Sequence, residues 1–362
     1  MKCEAVDNKY GLKTFYDIAH RVYRGNKNYR GTERSIEHLL IKGPSAYHSH
    51  SEVLPYIIRD GNDTIGRFAM IRDKNLHDYL QVSFFEALPE QGNLLDLIRN
   101  EARKRFPDLK KIVVGLNGHL NYGAGFLLNR FDEPPLFGLP YTMPHYPSYF
   151  SELNQRRMFS FRFRMEEYIR WAESYGPPKK MNGLEVRFMD KKQLTRESSI
   201  YTFLNNRAFA SHPFWADRED KEDHELFYPF RFLLRNENLI LAELNGKPAG
   251  FFLWYPDFNE LVTSQRDLNF WDVLKFRTGK RIKVFRFTEI GVLPELQKSP
   301  VGFSLLMKSI PVFKRCGFEY CEGGFIFEEN KSSIALVTRM IHRSTGIKPL
   351  PYRSYAVYDG KL

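Results

Sequence analysis

The same order of predicted elements occurs twice along this chain of 362 residues. In each half, a β-hairpin closed by a tight polar turn is followed by a strand, an amphipathic helix and a further strand. The two hairpin turns fall at 61–63 and 245–247, and the two helices begin near Gly92 and Pro300. The repeat predicts an α/β fold of two similar domains, each a mixed central sheet flanked by helices.

Helical periodicity supports both repeated helices. Apolar or small residues recur at spacings of three and four, which places them on one face of each helix. The residues on these faces are Leu94, Leu95, Ile98, Ala102 and Phe106 in the first helix, and Gly302, Leu305, Leu306, Ile310 and Phe313 in the second.

The boundary between the repeats is predicted near Pro178. Gly176, Pro177 and Pro178 separate an aromatic, charged segment from a new strand, and these residue types oppose the continuation of helix and sheet. We therefore expect an N-terminal domain at 1–178 and a C-terminal domain at 179–362.

Composition narrows the class of protein. Hydrophobic residues make up 43% of the chain, which is enough for two cores, and the beginning of the sequence lacks an apolar run of signal-peptide length. No segment approaches the ~18 uninterrupted apolar residues of a membrane span. These features predict a soluble, cytoplasmic protein without a membrane span.

The net charge suggests anionic partners, and the cysteine content argues against a disulfide framework and a structural zinc site. The net charge of +11 favours anionic partners, although the basic residues are scattered rather than gathered in one arm. Cys3, Cys316 and Cys321 are too few for a disulfide framework and lack the spaced partners of a structural zinc site. We expect reduced thiols and no bound metal.

The second repeat contains a phosphate-binding pattern. A predicted strand ends in the turn 292–294, and the next helix opens with the residues 297–302, Gln-Lys-Ser-Pro-Val-Gly. A helix N-terminus presents unpaired N–H groups and a positive dipole end, which together can hold a diphosphate. Ser299 followed by Pro300 is also an ordinary helix-capping pair, so plain capping is the alternative explanation.

These residues resemble the GNAT superfamily of N-acetyltransferases, in a tandem two-domain form. Gln297 and Gly302 match the family signature, whereas Pro300 replaces its first glycine and lacks an N–H. The resemblance implies binding of acetyl-CoA or another acyl-CoA beside a strand that splays from its neighbour. The cofactor-binding residues it implies are Gly291, Val292, Leu293, Gln297, Lys298, Ser299, Val301, Gly302, Phe303 and Asn330.

Glu289 is the predicted catalytic base. An acyltransferase needs a group that accepts the proton of the attacking amine, and Glu289 lies in the central strand three residues before Val292. An ion pair with a neighbouring strand is the alternative role for this carboxylate.

A tyrosine is the general acid that the resemblance implies. Members of the family often carry it seven residues after the asparagine that opens the last helix, but Val337 occupies that position here. Tyr352, Tyr355 or Tyr358 on the final strand could substitute, and Tyr355 is our candidate. Tyrosines in strands are more often packed core residues, which is the alternative.

Acceptor binding is predicted in two irregular segments. The aromatic loop 210–220 contains His212 and Trp215, and a glycine-rich loop in the first half contains Asn117 and Asn121. A surface or packing role for the former pair, and a tight turn without function for the latter, are the alternatives. In the first repeat, 88–93 retains a Gln-Gly pair without the full glycine pattern, so no cofactor is expected there.

The resulting hypothesis is an acyl-CoA-dependent N-acyltransferase acting on a small-molecule or peptide amine. One alternative is similar to the Fem-type aminoacyltransferases, whose donor is aminoacyl-tRNA, and the positive charge suits such a nucleic-acid partner. Another is a binding protein of the same fold without activity, which the departures at Pro300 and Val337 favour.

Overall fold

The computed structural model describes residues 1–263 and 265–362, and places strands and helices in the order that the repeats predict. The strands are β1 Lys2–Ala5, β2 Ser51–Asp60, β3 Asp63–Asp73, β4 Tyr79–Ala87, β5 Lys111–Val114, β6 Phe126–Leu127, β7 Asn154–Arg164, β8 Leu184–Phe188, β9 Leu239–Leu244, β10 Lys247–Pro256, β11 Val284–Val292, β12 Tyr320–Phe327 and β13 Ser354–Lys361. The α-helices are α1 Lys9–Val22, α2 Arg34–Ile41, α3 Leu94–Arg105, α4 Tyr146–Tyr149, α5 Met165–Ser174, α6 Leu194–Phe209, α7 Asp220–Phe227, α8 Phe270–Arg277, α9 Val301–Cys316 and α10 Lys331–Thr345.

Both predicted hairpins are confirmed. β2 pairs with β3 around the turn 61–63, and β9 pairs with β10 around the turn 245–247. The periodic faces of α3 and α9 point into the cores, although Gly302 and Leu306 of α9 are only partly buried. The predicted α/β class with two similar units, each a mixed sheet with flanking helices, is therefore correct.

All the strands join one sheet because the two halves exchange their last strands. The order along the sheet is β1-β2-β3-β4-β5-β13-β7-β12-β11-β10-β9-β8, with β6 paired to β13. β7, from the first half of the chain, pairs with β12 of the second half, and β13 pairs with β5 of the first half. β7 and β13 also pair with each other at the centre. Each half of the sheet is thus completed by a strand from the other half of the sequence.

The exchanged strand β13 contributes to the core of the N-terminal half. Tyr358 is 2% exposed and packs against Phe126 and Phe150, with ring centroids 6.0 and 6.1 Å away. Its hydroxyl oxygen accepts a hydrogen bond from Nε2 of Gln155 at 2.9 Å. The last residues of the chain therefore stabilise the first half of the fold.

The two repeats differ at the point where their parallel strands end. In the first repeat the chain beyond β5 stays bound to β4: the Gly115 amide donates to the Val82 carbonyl at 3.0 Å, and the Phe84 amide donates to Oδ1 of Asn117 at 2.8 Å. In the second repeat β11 and β12 separate. Among the described residues, a crevice between the two parallel strands of a repeat occurs only in the second repeat, between β11 and β12.

No helix in the described ranges 1–263 and 265–362 is long and apolar enough to cross a membrane.

Tyr358→Ala should lower the free energy of unfolding by about 3–5 kcal/mol, because it removes a large buried aromatic side chain and leaves a cavity. Urea denaturation measures this change. Tyr10→Ala is the matched control, since Tyr10 is 77% exposed and its replacement should change stability by less than about 0.5 kcal/mol. Equal effects of the two substitutions would contradict the packing of β13 against the first half.

Candidate active site

The candidate site is the crevice between β11 and β12. These strands pair in parallel from Val284 opposite Tyr320 to Phe287 opposite Gly323, and β12 then continues along β7 without β11. The splay that the family resemblance implied is therefore present. Backbone groups of β11 beyond Phe287 face open space on this side, where a ligand can form hydrogen bonds that a strand would otherwise make.

A β-bulge lies where the strands part. Leu253 of β10 pairs with Glu289 and Trp254 pairs with Phe287, which leaves Thr288 as the additional residue on β11. A bulge bends the strand and redirects side chains, and such bulges are common beside active sites. Glu289 consequently lies on the sheet face covered by α6, together with Leu253.

Glu289 is held by neutral donors rather than by an ion pair. Oε1 accepts hydrogen bonds from the Tyr201 hydroxyl at 2.8 Å and from Nδ2 of Asn121 at 3.3 Å, and Oε2 accepts one from Nδ2 of Asn205. No salt bridge involves Glu289 within the part of the chain that the structure describes. Three uncharged donors orient the carboxylate without supplying a countercharge of their own.

A buried polar cluster supports these donors. Arg218 donates to Oδ1 of Asn205 at 2.7 Å and forms an ion pair with Asp223, which also accepts from the Thr202 hydroxyl at 2.8 Å. Because Tyr201 is buried beside the Glu289 carboxylate, its pKa lies well above the ordinary value, so the hydroxyl stays a donor. This cluster fixes Asn205, and Asn205 in turn fixes the Glu289 carboxylate.

The turn after β11 and the start of α9 form the corner predicted for a diphosphate. The first i to i−4 hydrogen bond of the helix runs from the Ser304 amide to the Pro300 carbonyl at 2.9 Å, and the Val301 amide donates to Oγ of Ser299 at 3.3 Å. The amides of Gly302 and Phe303 have no acceptor among the described residues. Two donors and a helix dipole therefore remain available to an anion.

The predicted cofactor residues separate into two groups. Gly291, Val292, Gln297, Ser299, Gly302, Phe303 and Asn330 line one cavity. Three others do not line it: the Leu293 amide donates to the Ala249 carbonyl at 3.1 Å, Val301 is buried in the core, and Lys298 is exposed beside the opening. The expectation that Leu293 binds the cofactor is therefore wrong, because its amide is bound to β10.

Strand alternation identifies the amides that face the crevice. Since the Leu293 amide points toward β10, those of Gly291 and Glu289 point the same way, and those of Ile290 and Val292 point toward the open side. Ile290 was not predicted, although its amide points to the same side as that of Val292, because alternate residues of a strand share a direction. Gly291 has a different role, because a Cβ there would lie 3.0 Å from Cβ of Ala208 and clash with the Phe251 ring, so the glycine lets α6 approach.

One side of the cavity is aromatic. The cavity has a volume of about 1290 Å³, and its lining includes Glu289 and the residues His212, Trp215 and Asn121, for which acceptor binding stays a prediction. His212 lies at the crevice, with Nε2 3.3 Å from Nδ2 of Asn330, and burial lowers its pKa, which favours the neutral ring. The lining residues that sequence reasoning missed include Phe137, Tyr201, Phe230, Tyr255 and Phe258.

Two predicted site residues lie elsewhere. Tyr355 is fully buried on β13 in the core shared by the two halves, does not line the cavity, and has a pKa raised by burial. Asn117 is bound to the Phe84 amide and fixes the glycine-rich loop against β4. Both are corrected from ligand-contacting to structural roles, whereas Asn121 of the same loop does reach Glu289.

An ion pair between the halves supports the cavity wall. His50 in the first half lies between two carboxylates, with Nδ1 2.9 Å from Oδ1 of Asp73 and Nε2 3.0 Å from Oε1 of Glu222 on α7. Tyr122, which lines the cavity, donates to Oε2 of Glu222 at 2.7 Å. Hydrogen bonds to Asp73 and Glu222 raise the pKa of His50 to about 10, so the imidazolium is charged at neutral pH.

Comparison with known proteins gives distant sequence relatives. No protein-family model matches the sequence. The chain is 20% identical to Protein YghO of Escherichia coli (strain K12), over 98% of this chain and 94% of that protein. It is 22% identical to a bacterial ceramide synthase of Caulobacter vibrioides (strain NA1000 / CB15N), over 87% of this chain and 85% of that protein.

Solved structures show the fold. A tandem GNAT protein from the clavulanic acid biosynthesis pathway superposes with a TM-score of 0.54 at 11% identity, covering 99% of this chain and 98% of that one. A probable N-acyltransferase from Enterococcus faecalis V583 has a TM-score of 0.51 at 12% identity, covering 98% of this chain and 71% of that one. The predicted tandem GNAT fold is confirmed.

His50→Gln should destabilise the protein by about 3 kcal/mol at pH 6, since it leaves two buried carboxylates without their cation. The folded-state pKa of about 10 lies above the ordinary value of 6.5, so the stabilisation by His50 is complete below about pH 6.5 and declines toward pH 10. The difference in unfolding free energy between wild type and variant should therefore shrink from pH 6 to pH 9. His77→Gln is the control, because the side chain of His77 is 83% exposed. A difference that grows with pH would exclude a charged His50.

Proposed function

We propose that the protein is an acyl-CoA-dependent N-acyltransferase in which the C-terminal half binds the acyl donor. The observation that carries this proposal is the position of Glu289: a carboxylate, oriented by three neutral donors, on the strand that borders the open crevice. The GNAT fold agrees with it, although a fold alone does not specify an activity.

The residues at the crevice fit an acyl-CoA. The amides of Gly302 and Phe303 suit the diphosphate, and two exposed lysines, Lys298 before α9 and Lys331 in the cavity lining, add positive charge. The outward amides of Ile290 and Val292 suit the amide groups of a pantetheine arm, which can extend the sheet in place of β12. Pro300 removes one N–H from the corner, so the site depends on the two that remain.

The acyl-CoA supplies a thioester carbonyl, and the protein supplies a base and hydrogen-bond donors. Glu289 accepts the proton of the amine, directly or through water, as the nitrogen attacks. The amide donors of β11 stabilise the negative charge that develops on the carbonyl oxygen during the attack. This direct transfer needs no covalent intermediate with the protein, and the crevice brings the reactants together in a fixed orientation.

The general acid of the family is not required for the proposed reaction. Val337 lies in the cavity wall where the family tyrosine is expected, and Tyr355 does not reach the cavity. A thiol has an ordinary pKa of about 8.5, so a thiolate is a far better leaving group than an amine and can take its proton from water. The departure at Val337 is therefore compatible with activity.

We further propose that the acceptor is an amine with a hydrocarbon chain. Phe137, Phe230, Phe258 and Tyr255 line the acceptor side and offer apolar surface well beyond what a small polar amine requires. The name of the ceramide synthase relative from Caulobacter vibrioides indicates acylation of a long-chain amine in that protein. The same substrate class suits this cavity.

Glu289→Gln should lower kcat by about 10²–10⁴-fold with a long-chain amine and a long-chain acyl-CoA, because it removes the proton acceptor and retains the size of the side chain. The Kd for the acyl-CoA should change less than about twofold, since Glu289 faces α6 rather than the diphosphate corner. Glu185→Gln, an exposed carboxylate on β8, is the control. Unchanged kcat in Glu289→Gln would remove this residue from the mechanism.

Gly302→Glu should weaken acyl-CoA binding by at least about tenfold without destabilising the fold. A carboxylate in the first turn of a helix interacts favourably with the helix dipole, but it repels a bound diphosphate. The substitution is sterically feasible, since a Cβ at Gly302 would lie 3.6 Å from Cγ2 of Val292. Gly302→Gln is the control, because glutamine has nearly the size of glutamate but carries no charge. Calorimetric titration measures the affinity for the acyl-CoA, and urea denaturation measures the free energy of unfolding. Equal affinities of the Glu and Gln variants would contradict the assignment of the start of α9 as the diphosphate site.

A further inference from the structure

We propose that the exposed face of α8 docks on a membrane surface that carries anionic lipid headgroups. Phe270, Trp271 and Leu274 are 71%, 65% and 41% exposed, and they lie on the outward side of one helix. At 100° per residue these three positions fall within one arc, opposite the buried Asp272 and Phe276. An apolar stripe that includes an exposed tryptophan is costly in water and typical of helices that lie at a bilayer interface.

Basic residues flank this stripe on both sides. Lys275 and Arg277 fall next to it on the helical wheel, and Lys280 lies three residues beyond the end of the helix; all three are exposed. From Leu268 to Lys283 the sequence contains five basic residues and one acidic residue. The acidic residue, Asp272, is buried in a bidentate ion pair with Arg266, so it does not offset the positive surface.

The neighbouring segment 228–235 extends the same surface. Phe232 and Tyr228 are exposed, and the Arg231 guanidinium stacks on both rings, 4.3 and 3.9 Å from their centroids. The segment contacts α8, since the Arg235 guanidinium lies 5.0 Å from the centroid of the Phe276 ring. Aromatic side chains with adjacent guanidinium groups are well suited to the headgroup region, where one part of the surface is apolar and the other is charged.

The surface lies over the acceptor end of the cavity. The inner side of α8 packs through Phe276 into a cluster that contains Phe137, Phe230 and Phe258, and these three residues also line the cavity. Phe276 and these three phenylalanines therefore lie between the exposed stripe and the cavity. Docking through α8 would therefore hold the acceptor end of the cavity against the lipid phase.

The combination of charges and exposed rings favours a bilayer over other occupants. Anionic headgroups attract the flanking cations, each by a modest amount that salt reduces, while the apolar stripe enters the interface. A second copy of the chain would bring the same cations against each other. The proposal concerns recruitment and holds whether or not the acyl transfer proposed above occurs, because vesicle binding needs no substrate.

Flotation of the full chain with phosphatidylcholine vesicles, with and without phosphatidylglycerol, tests the proposal. We expect binding to the phosphatidylglycerol vesicles and at least about tenfold weaker binding to phosphatidylcholine alone. Raising the salt from about 0.1 to about 1 M, which shortens the Debye length from about 10 to about 3 Å, should release most of the protein.

Two sets of variants locate the surface. Phe270→Ser combined with Trp271→Ser, and separately Lys275→Glu combined with Lys280→Glu, should each reduce binding at least about tenfold. Tyr10→Ser, at a similarly exposed aromatic residue on α1, should bind like wild type. Lipids brominated in their acyl chains should quench part of the tryptophan fluorescence, and Trp271→Phe should remove that quenching while the protein still binds.

Three results would overturn the proposal. They are no binding to phosphatidylglycerol vesicles, equal loss of binding in Tyr10→Ser, or a concentration-dependent dimer in light scattering that the Phe270→Ser, Trp271→Ser variant abolishes. The last result would identify a second copy of the chain as the occupant of the α8 face.

Discussion

The separation of β11 from β12 is the constraint on which the site depends. Parallel strands normally pair to their ends, because a buried N–H or C=O without a partner is costly. Here β12 continues along β7, and β11 bends at the Thr288 bulge while it stays bound to β10. The outward amides of β11 are left facing a cavity, where a ligand can satisfy them. The same bend places Glu289 under α6, where Tyr201 and Asn205 hold its carboxylate.

The exchange of strands between the halves lowers the free-energy cost of this separation. β7 supplies β12 with a partner from the first half of the chain, and β13 closes the first half of the sheet, so β12 does not need β11 beyond Gly323. The first repeat shows the other outcome, since its glycine-rich loop stays bound to β4. That loop still contributes to the site, because Asn121 extends from it to Glu289 across the interface. One repeat thus provides the crevice, and the other provides part of its wall.

Local patterns in the sequence predicted the repeated hairpins and the buried faces of α3 and α9. These features depend on spacing within a few residues, which a single sequence displays. Glu289 could also be singled out, because a carboxylate in an otherwise apolar strand is conspicuous. The family resemblance correctly implied the parted strands, which no local pattern encodes.

The errors concern contacts between distant parts of the chain. Tyr355 looked like a residue of the second half, but strand exchange buries it in the core that both halves share. The support of Glu289 by Tyr201, Asn205 and Arg218 depends on how α6 and the loop before α7 pack, and only the four-residue spacing of Tyr201 and Asn205 hinted at it. Leu293 was misassigned because the direction of an amide depends on strand register.

Hydrogen–deuterium exchange with and without a long-chain acyl-CoA tests the central claim most directly, since it reads individual amides. The account predicts slower exchange at Ile290, Val292, Gly302 and Phe303 when the acyl-CoA is present, with no change in the β2–β3 hairpin of the first repeat, which does not line the cavity. Protection confined to that hairpin, or no protection at the start of α9 at saturating ligand, would contradict it.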